Sequence, residues 1–89
     1  LTKTKSFKSL RSTKELGQAI REYRKSRHLT IATLSGLANV SPRFLSELER
    51  GKETAEIGKV LKVLQTLGLD IVLNSRTPTT VSGKEAGND

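Results

Sequence analysis

The feature that most limits the possible folds of this chain is a short break between two helical patterns. Ile31 and Leu34 begin one pattern, Asn39 interrupts it, and Ser41-Pro42 opens the next. Ser is a preferred helix N-cap, and Pro is well tolerated at the first helical position, where its missing N–H costs no hydrogen bond. Asn tolerates the positive φ of a tight turn. The sequence therefore predicts two short helices joined by a turn of about three residues.

A longer helix precedes this pair. Ser12-Thr13-Lys14-Glu15 has the form of a capping box, in which the Ser side chain and the Glu side chain each satisfy a backbone N–H. Apolar residues then recur at helical spacing: Leu16, Ala19, Ile20 and Tyr23. The pattern predicts a first helix from about Thr13 to Arg27.

The next helices follow from the same kind of signal. Thr30 is the expected N-cap of the second helix, whose predicted inward residues are Ile31, Leu34, Leu37 and Ala38. The third helix starts after Ser41, ends before Gly51 and has Leu45 and Leu48 as its predicted buried residues.

Thr54 is the expected N-cap of a fourth helix, with Glu56 in its first turn and Gly68 just beyond its end. Its predicted buried residues are Ile57, Val60, Leu61 and Leu64.

Residues 69–73, Leu-Asp-Ile-Val-Leu, have the composition of a β-strand. A lone strand in a helical domain leaves its backbone groups unpaired, which is costly when they are buried. We therefore expect Leu69, Ile71, Val72 and Leu73 to form a dimerisation strand that pairs with its copy in a second subunit. The alternative is an extended tail folded onto the fourth helix.

Composition and the predicted strand at residues 69–73 divide the chain into four segments. The 89 residues hold 16 Lys and Arg against 9 Asp and Glu, a net charge of +7, which favours an anionic partner. Residues 1–12 are basic and form a predicted flexible arm, residues 13–68 hold the folded domain, and residues 74–89 have the composition of a disordered tail.

Composition also excludes several functions. The chain has no Cys and one His, His28, so it offers neither thiol catalysis nor a His- or Cys-rich metal site, and no cofactor is expected. Two carboxylate pairs, Glu47-Glu49 and Glu53-Glu56, have no evident partner or cleft. Since no nucleophile–base pair is apparent, an enzyme is the least supported class. No apolar run approaches the roughly 18 residues of a membrane span, so a cytoplasmic protein is expected.

The stretch from Leu29 to Lys52 resembles the Xre/Cro helix-turn-helix module, and Leu48-Glu49-Arg50-Gly51-Lys52 is similar to the end of that family's recognition helix. The resemblance covers residues 14–68. It implies an all-α, four-helix, lambda repressor-like domain that binds double-stranded DNA. Three departures stand out: Ile31 and Ser46-Glu47 replace positions where Gln or Arg is common, and Asn39 replaces a frequent Gly.

The chain is also similar to the HipB-like antitoxins, in Gly51-Lys52, then residues 59–64 and 67–69, and then the predicted strand. That similarity implies a bacterial, nucleoid-associated protein. That resemblance implies a homodimer, joined partly through its C-terminal strand, that represses its own operon at a palindromic operator. It also implies a HipA-like kinase toxin as partner. A stand-alone Xre-type repressor and a protein-interaction module that mainly neutralises a toxin are the alternatives.

The first turn of a recognition helix enters the major groove. Arg43 is predicted to read guanine O6 and N7, or else to be solvated or to bind a phosphate. Phe44 could contact a thymine methyl or simply pack over the turn, and Ser46 could contact base or backbone. Glu47 could accept from cytosine N4, or pair with Arg43 one turn away.

Predicted phosphate contacts come from the start of the second helix and from the ends of the third: Thr30, Ser41, Arg50 and Lys52. Solvated charge is the alternative for the last two. The arm offers four cations for a minor groove, or else is a solubilising tail: Lys3, Lys5, Lys8 and Arg11. No role is assigned to Lys59 or Lys62.

Overall fold

The structure is a computed structural model that describes residues 7–77. It has four helices: α1 (Thr13–Ser26), α2 (Ile31–Ala38), α3 (Pro42–Glu49) and α4 (Ile57–Leu67). No β-strand occurs within these residues. The predicted order and number of helices is confirmed. Two arm residues, Lys3 and Lys5, and the tail from residue 78 onward lie outside the described part of the chain.

The first three helices begin at the caps that the sequence predicts. Ser12 Oγ accepts from the backbone N–H of Glu15 at 3.0 Å. Thr30 Oγ1 accepts from Thr33 N–H at 3.0 Å, and Ser41 Oγ accepts from the N–H of the third helical residue of α3 at 2.9 Å. Each hydroxyl satisfies a backbone donor that the helix itself leaves free. Local sequence therefore fixes where these helices start.

All four helices end in the same way. A residue with positive φ follows each helix: His28, Asn39, Gly51 and Gly68. At each end the next backbone N–H reaches back to a carbonyl five residues earlier, as Val40 does to Ser35 at 3.0 Å. This hydrogen bond satisfies one of the helix's last carbonyls. The predicted turn at Asn39, with φ of 58°, is confirmed.

The predicted start of the fourth helix is wrong. The N-cap is Glu56, which makes no capping hydrogen bond with its side chain, and Thr54 lies in the preceding turn. Thr54 has favourable cap chemistry, but the chain turns once more before the helix begins. A residue such as Thr shows only that a helix could start at that position. The conformation of the preceding turn determines whether the helix does start there.

One apolar core holds the helices together. Its buried members come from all four: Ile20, Leu34, Ala38, Leu45, Leu48, Val60, Val63, Leu64 and Leu67. Three predicted core residues are instead exposed, namely Leu37, Ile57 and Leu61. In α4, Val63 and Leu67 take the inward positions, because the helix is rotated toward them relative to the predicted face. No helix within residues 7–77 has both the length and the apolar character needed to cross a membrane.

Residues 69–75 follow α4 without regular secondary structure. The Leu69 N–H bonds to the Leu64 carbonyl at 2.8 Å, and the Leu69 side chain packs against the core. Ile71, Val72 and Leu73 are exposed. The predicted strand is thus not formed in the single chain, since a β-ladder needs a second strand beside it. Its pairing with a second copy remains a prediction.

Candidate nucleic-acid interface

Helix α3 has one buried side and one polar side. Leu45, Leu48 and Glu49 are buried. The polar side carries Arg43, Ser46, Glu47 and Arg50, which recur at i, i+3, i+4 and i+7 and therefore form one stripe along the helix. We call these four residues the polar stripe. The Arg43 side chain is 88% exposed, so the start of the stripe is open to a ligand.

The side chains of the polar stripe are linked to one another. Arg43 Nε donates to Glu47 Oε2 at 3.2 Å, and Lys52 Nζ donates to Glu47 Oε1 at 3.1 Å. Arg50 Nη1 donates to Ser46 Oγ at 3.1 Å. Of the two arrangements that the sequence left open for Glu47, the structure has the ion pair with Arg43, and Lys52 is an additional partner.

These cations act on the titration of Glu47. The hydrogen bond from Lys52, followed by that from Arg43, lowers the pKa of the Glu47 carboxyl below its ordinary value of 4.5. Glu47 is therefore ionised at neutral pH. With Arg43, Arg50 and Lys52 around it, the polar stripe and its neighbour hold three cations and one carboxylate, a net charge of +2.

Phe44 lies between the polar stripe and the core. Its ring is half-buried and packs against the apolar core, and Lys59 Nζ stands 5.7 Å from the ring centroid. A cation at that distance over an aromatic face is weakly attracted to it. Phe44 therefore packs against the core, which is one of the two roles considered for it. Lys59, to which the sequence analysis assigned no role, lies beside the start of α3.

The predicted phosphate-binding residues lie at helix ends. Thr30 and Ser41 use their hydroxyl oxygens as caps of α2 and α3, and Arg50 and Lys52 are exposed at the other end of α3. Helix N-termini present backbone N–H groups and a partial positive charge to an anion. Binding of phosphate by these residues remains a prediction.

A buried ion pair fixes α3 from behind, and sequence analysis missed it. Arg24 Nε donates to Glu49 Oε2 at 2.6 Å, and Arg24 Nη2 donates to Glu49 Oε1 at 3.0 Å. Arg24 Nη1 also donates to the Leu29 carbonyl at 2.7 Å. The interpretation that Glu49 has no partner is wrong, because its partner lies 25 residues earlier in the chain. The hydrogen bonds that Arg24 donates to Glu49 raise the pKa of Arg24 and so stabilise its charged form.

Close backbone contact also fixes the end of α3. A Cβ added at Gly17 of α1 would lie 2.7 Å from the carbonyl oxygen of Glu49 and would also collide with that of Leu48. Nearby, Thr13 Oγ1 donates to the Gly51 carbonyl at 2.9 Å. The sequence offers one signal for this contact, namely Gly17 within an otherwise good helical pattern. A Gly at such a position often marks close packing against a neighbouring element.

The described arm residues lie along α1. Lys8 Nζ is 3.5 Å from Glu22 Oε1, and the backbone N–H of Arg11 donates to Glu15 Oε1 at 2.6 Å. Residues 7–11, α1 and residues 69–76 enclose an open groove of about 1150 Å³. The four predicted dimerisation residues all line it: Leu69, Ile71, Val72 and Leu73.

Binding of a metal ion by the described part of the chain would need several liganding side chains close together. Residues 7–77 hold no group of three His, Cys, Asp or Glu side chains placed to bind a metal ion.

Comparison with known proteins identifies the class. Residues 20–74 match the helix-turn-helix family. A protein of Sinorhizobium fredii, named as an uncharacterized HTH-type transcriptional regulator, y4mF, is 47% identical over 64 residues, which are 72% of this chain and 84% of that protein. The chain therefore belongs to the helix-turn-helix family, in the Xre/Cro class of DNA-binding transcriptional regulators.

Solved structures share the fold. A HipB-O4 20mer complex is similar to 80% of this chain and all of that chain, with a TM-score of 0.73 and 21% identity. A HipA-HipB-O2-O3 complex gives a TM-score of 0.74 at 21% identity over the same shares. The restriction-modification controller protein C.AhdI of Aeromonas hydrophila gives 0.60 at 26% identity, over 65% of this chain and 84% of that one. The predicted fold class is confirmed.

Proposed function

We propose that this chain is a sequence-specific repressor that binds a palindromic operator as a homodimer. The observation that carries this proposal is the polar stripe of α3, which is exposed at Arg43 and basic overall. A helix with one side fixed in the core and a polar, cationic side facing solvent suits the major groove of B-DNA.

Arg43 is the first candidate for base recognition, because its side chain is 88% exposed and it lies in the first turn of α3. Ser46 lies one turn further along and can donate to, or accept from, a base or a phosphate. Arg50, Lys52 and the N-termini of α2 and α3 bind the phosphates on either side of the groove. Lys8 and Arg11 extend toward the minor groove after their contacts with α1 open.

The dimer forms through residues 69–73. Ile71, Val72 and Leu73 are exposed in the single chain, and they line an apolar groove that a second copy would close. Pairing of two such segments gives each the backbone partner that it lacks. A two-fold axis at this surface would place two α3 helices in major grooves about 34 Å apart.

The finer role that we propose is that of an antitoxin, which represses its own operon and neutralises a HipA-like kinase toxin. The support is the likeness of the fold to HipB, a protein solved together with HipA. Affinity purification of the full chain from native extract tests this role. Recovery of a kinase-like partner is the expected result, whereas operator binding without such a partner would define a stand-alone repressor.

Footprinting on the DNA upstream of the gene, at two salt concentrations, tests operator binding. We expect two protected half-sites separated by one helical turn, and an affinity that falls steeply with salt because bound counterions are released. Uniform protection without half-sites, at either salt concentration, would contradict sequence-specific binding.

A further inference from the structure

The ion pairs of Glu47 have a consequence for how this protein selects DNA, and the inference rests on the proposed function. We infer that Glu47 is a specificity-determining residue: it positions Arg43 for base recognition and weakens binding to DNA of the wrong sequence. Two observations carry it. The first is that Glu47 binds Arg43 through Nε, and the second is that the same carboxylate also binds Lys52.

Glu47 holds Arg43 through Nε alone. The distance from Nε to Oε2 is 3.2 Å, and neither terminal nitrogen of the guanidinium takes part in a hydrogen bond within residues 7–77. Recognition of guanine O6 and N7 uses two parallel N–H donors of Arg. A guanidinium held at Nε has its two terminal nitrogens free for that purpose, and it loses less side-chain freedom on binding because its orientation is already restricted.

Glu47 also occupies Lys52. Its second oxygen, Oε1, accepts from Lys52 Nζ at 3.1 Å, so both carboxylate oxygens already have a cationic partner. The Lys52 ammonium has three N–H donors, so a DNA phosphate that binds Lys52 shares it with this carboxylate, whose negative charge repels the phosphate. Binding to DNA of any sequence depends mainly on such phosphate contacts, and Glu47 therefore weakens it.

The two effects act in opposite directions on the two kinds of DNA. At a site with guanine in register, positioning of Arg43 offsets the cost of the repulsion between Glu47 and the phosphate at Lys52. On other sequences, only the cost is present. The ratio of the two affinities is thus larger with a carboxylate at position 47 than with a neutral side chain.

The test measures affinity of the full chain for two duplexes across a salt series: the site that wild type selects from a random library, and a mixed-sequence 20-base-pair duplex. For Glu47→Gln we expect binding to the mixed duplex to tighten about threefold to tenfold, with a steeper dependence on salt. The ratio of affinities for the selected and mixed duplexes should fall about tenfold.

Glu53→Gln is the matched control. It removes one carboxylate close to Lys52 in the chain, and Glu53 forms no ion pair within residues 7–77. We expect less than a twofold change in the ratio. A similar fall in both variants would show that net charge alone is responsible, and would overturn the inference.

A second variant checks the route through Arg43. Arg43→Lys keeps the charge but lacks the paired donors, so it should lower the ratio in wild type and have little further effect in Glu47→Gln. Additive effects would contradict positioning of Arg43 by Glu47. Circular dichroism verifies that each variant is folded.

The possible failures are distinguishable. If wild type selects no sequence from the library, the proposed function itself is wrong. If wild type selects a site but Glu47→Gln leaves the ratio unchanged, or changes preference at a cytosine and not at a guanine, Glu47 is not a positioning residue and the inference alone fails.

Discussion

Helix α3 takes part in two Arg–Glu pairs, one on each side. The pair of Arg24 and Glu49 is buried, with side chains 8% and 4% exposed and a closest distance of 2.6 Å. The pair of Arg43 and Glu47 lies on the open side, at 3.2 Å, with side chains 88% and 25% exposed. Identical chemistry thus serves two purposes. The buried pair has no water to replace a lost partner, so it fixes the helix, whereas the exposed pair is open to solvent, where either partner can be replaced.

Breaking the buried pair should have the largest effect. Arg24→Met keeps an unbranched apolar stem but removes the guanidinium, and it leaves Glu49 as an uncompensated charge in the interior. We expect it to lower the free energy of unfolding by about 3–5 kcal/mol, measured by urea denaturation.

The double variant Arg24→Met/Glu49→Leu distinguishes the loss of attraction from the cost of the unpaired charge. It should recover most of the lost stability, because apolar replacement of a whole buried pair is often neutral. If the double variant is as unstable as the single one, geometry and not charge is the important property of this pair.

Gly17→Ala tests the close contact beside the buried pair. The added methyl would meet two backbone carbonyls, which cannot rotate away, so we expect a loss of about 1–3 kcal/mol despite the better helix propensity of Ala. Gly36→Ala is the control in α2, where nothing lies within 4 Å of the added atom. It should raise stability by about 0.5–1 kcal/mol. Thermal melting of both variants is the measurement, and equal signs would contradict the packing argument.

Arg43→Ala tests the exposed pair by removing its guanidinium. Stability should change by less than about 0.5 kcal/mol, since the side chain supports nothing in the core. Binding to the selected duplex should weaken by about 1–3 kcal/mol, with relaxed preference at one base position. Equal weakening on mixed-sequence DNA would instead indicate a phosphate contact.

The smallest expected effect is in the titration of Glu47. Because its pKa is lowered in the folded state, its ion pairs stabilise the fold above the unfolded pKa, and this contribution disappears as pH falls through the folded pKa. NMR titration of the carboxyl carbon should give a midpoint below 4.5. Lys52→Gln should raise that midpoint more than Arg43→Gln, since the hydrogen bond from Lys52 is the larger cause. The reverse order would show that Arg43 is the dominant partner.

Local signals predicted most of the fold. Ser12, Thr30 and Ser41 each combine a capping side chain with an apolar pattern that follows at once, and the structure uses all three. Helix α4 was harder because its apolar residues fit two overlapping faces. Ile57, Val60, Leu61 and Leu64 satisfy helical spacing, but so do the residues that are buried: Val60, Val63, Leu64 and Leu67. Only packing against the other helices selects between the two faces.

The site was predicted to the extent that it is local. The pairing of Glu47 with Arg43 was among the sequence alternatives because the two are one turn apart, and its second bond to Lys52 was not, because that contact crosses the end of the helix. The pair of Arg24 and Glu49 depends on how α1 crosses α3, which no spacing along the chain encodes. The sequence therefore indicates which residues of α3 face outward. It does not indicate the long-range contacts that hold the helix in place.

None of the four residues in the polar stripe belongs to the apolar core. Variation at these positions should therefore leave the scaffold intact, and a library randomised at 43, 46, 47 and 50 should consist largely of folded proteins. Mutational steps at these positions would change the chemistry that α3 presents to solvent while the core that holds the helix stays the same.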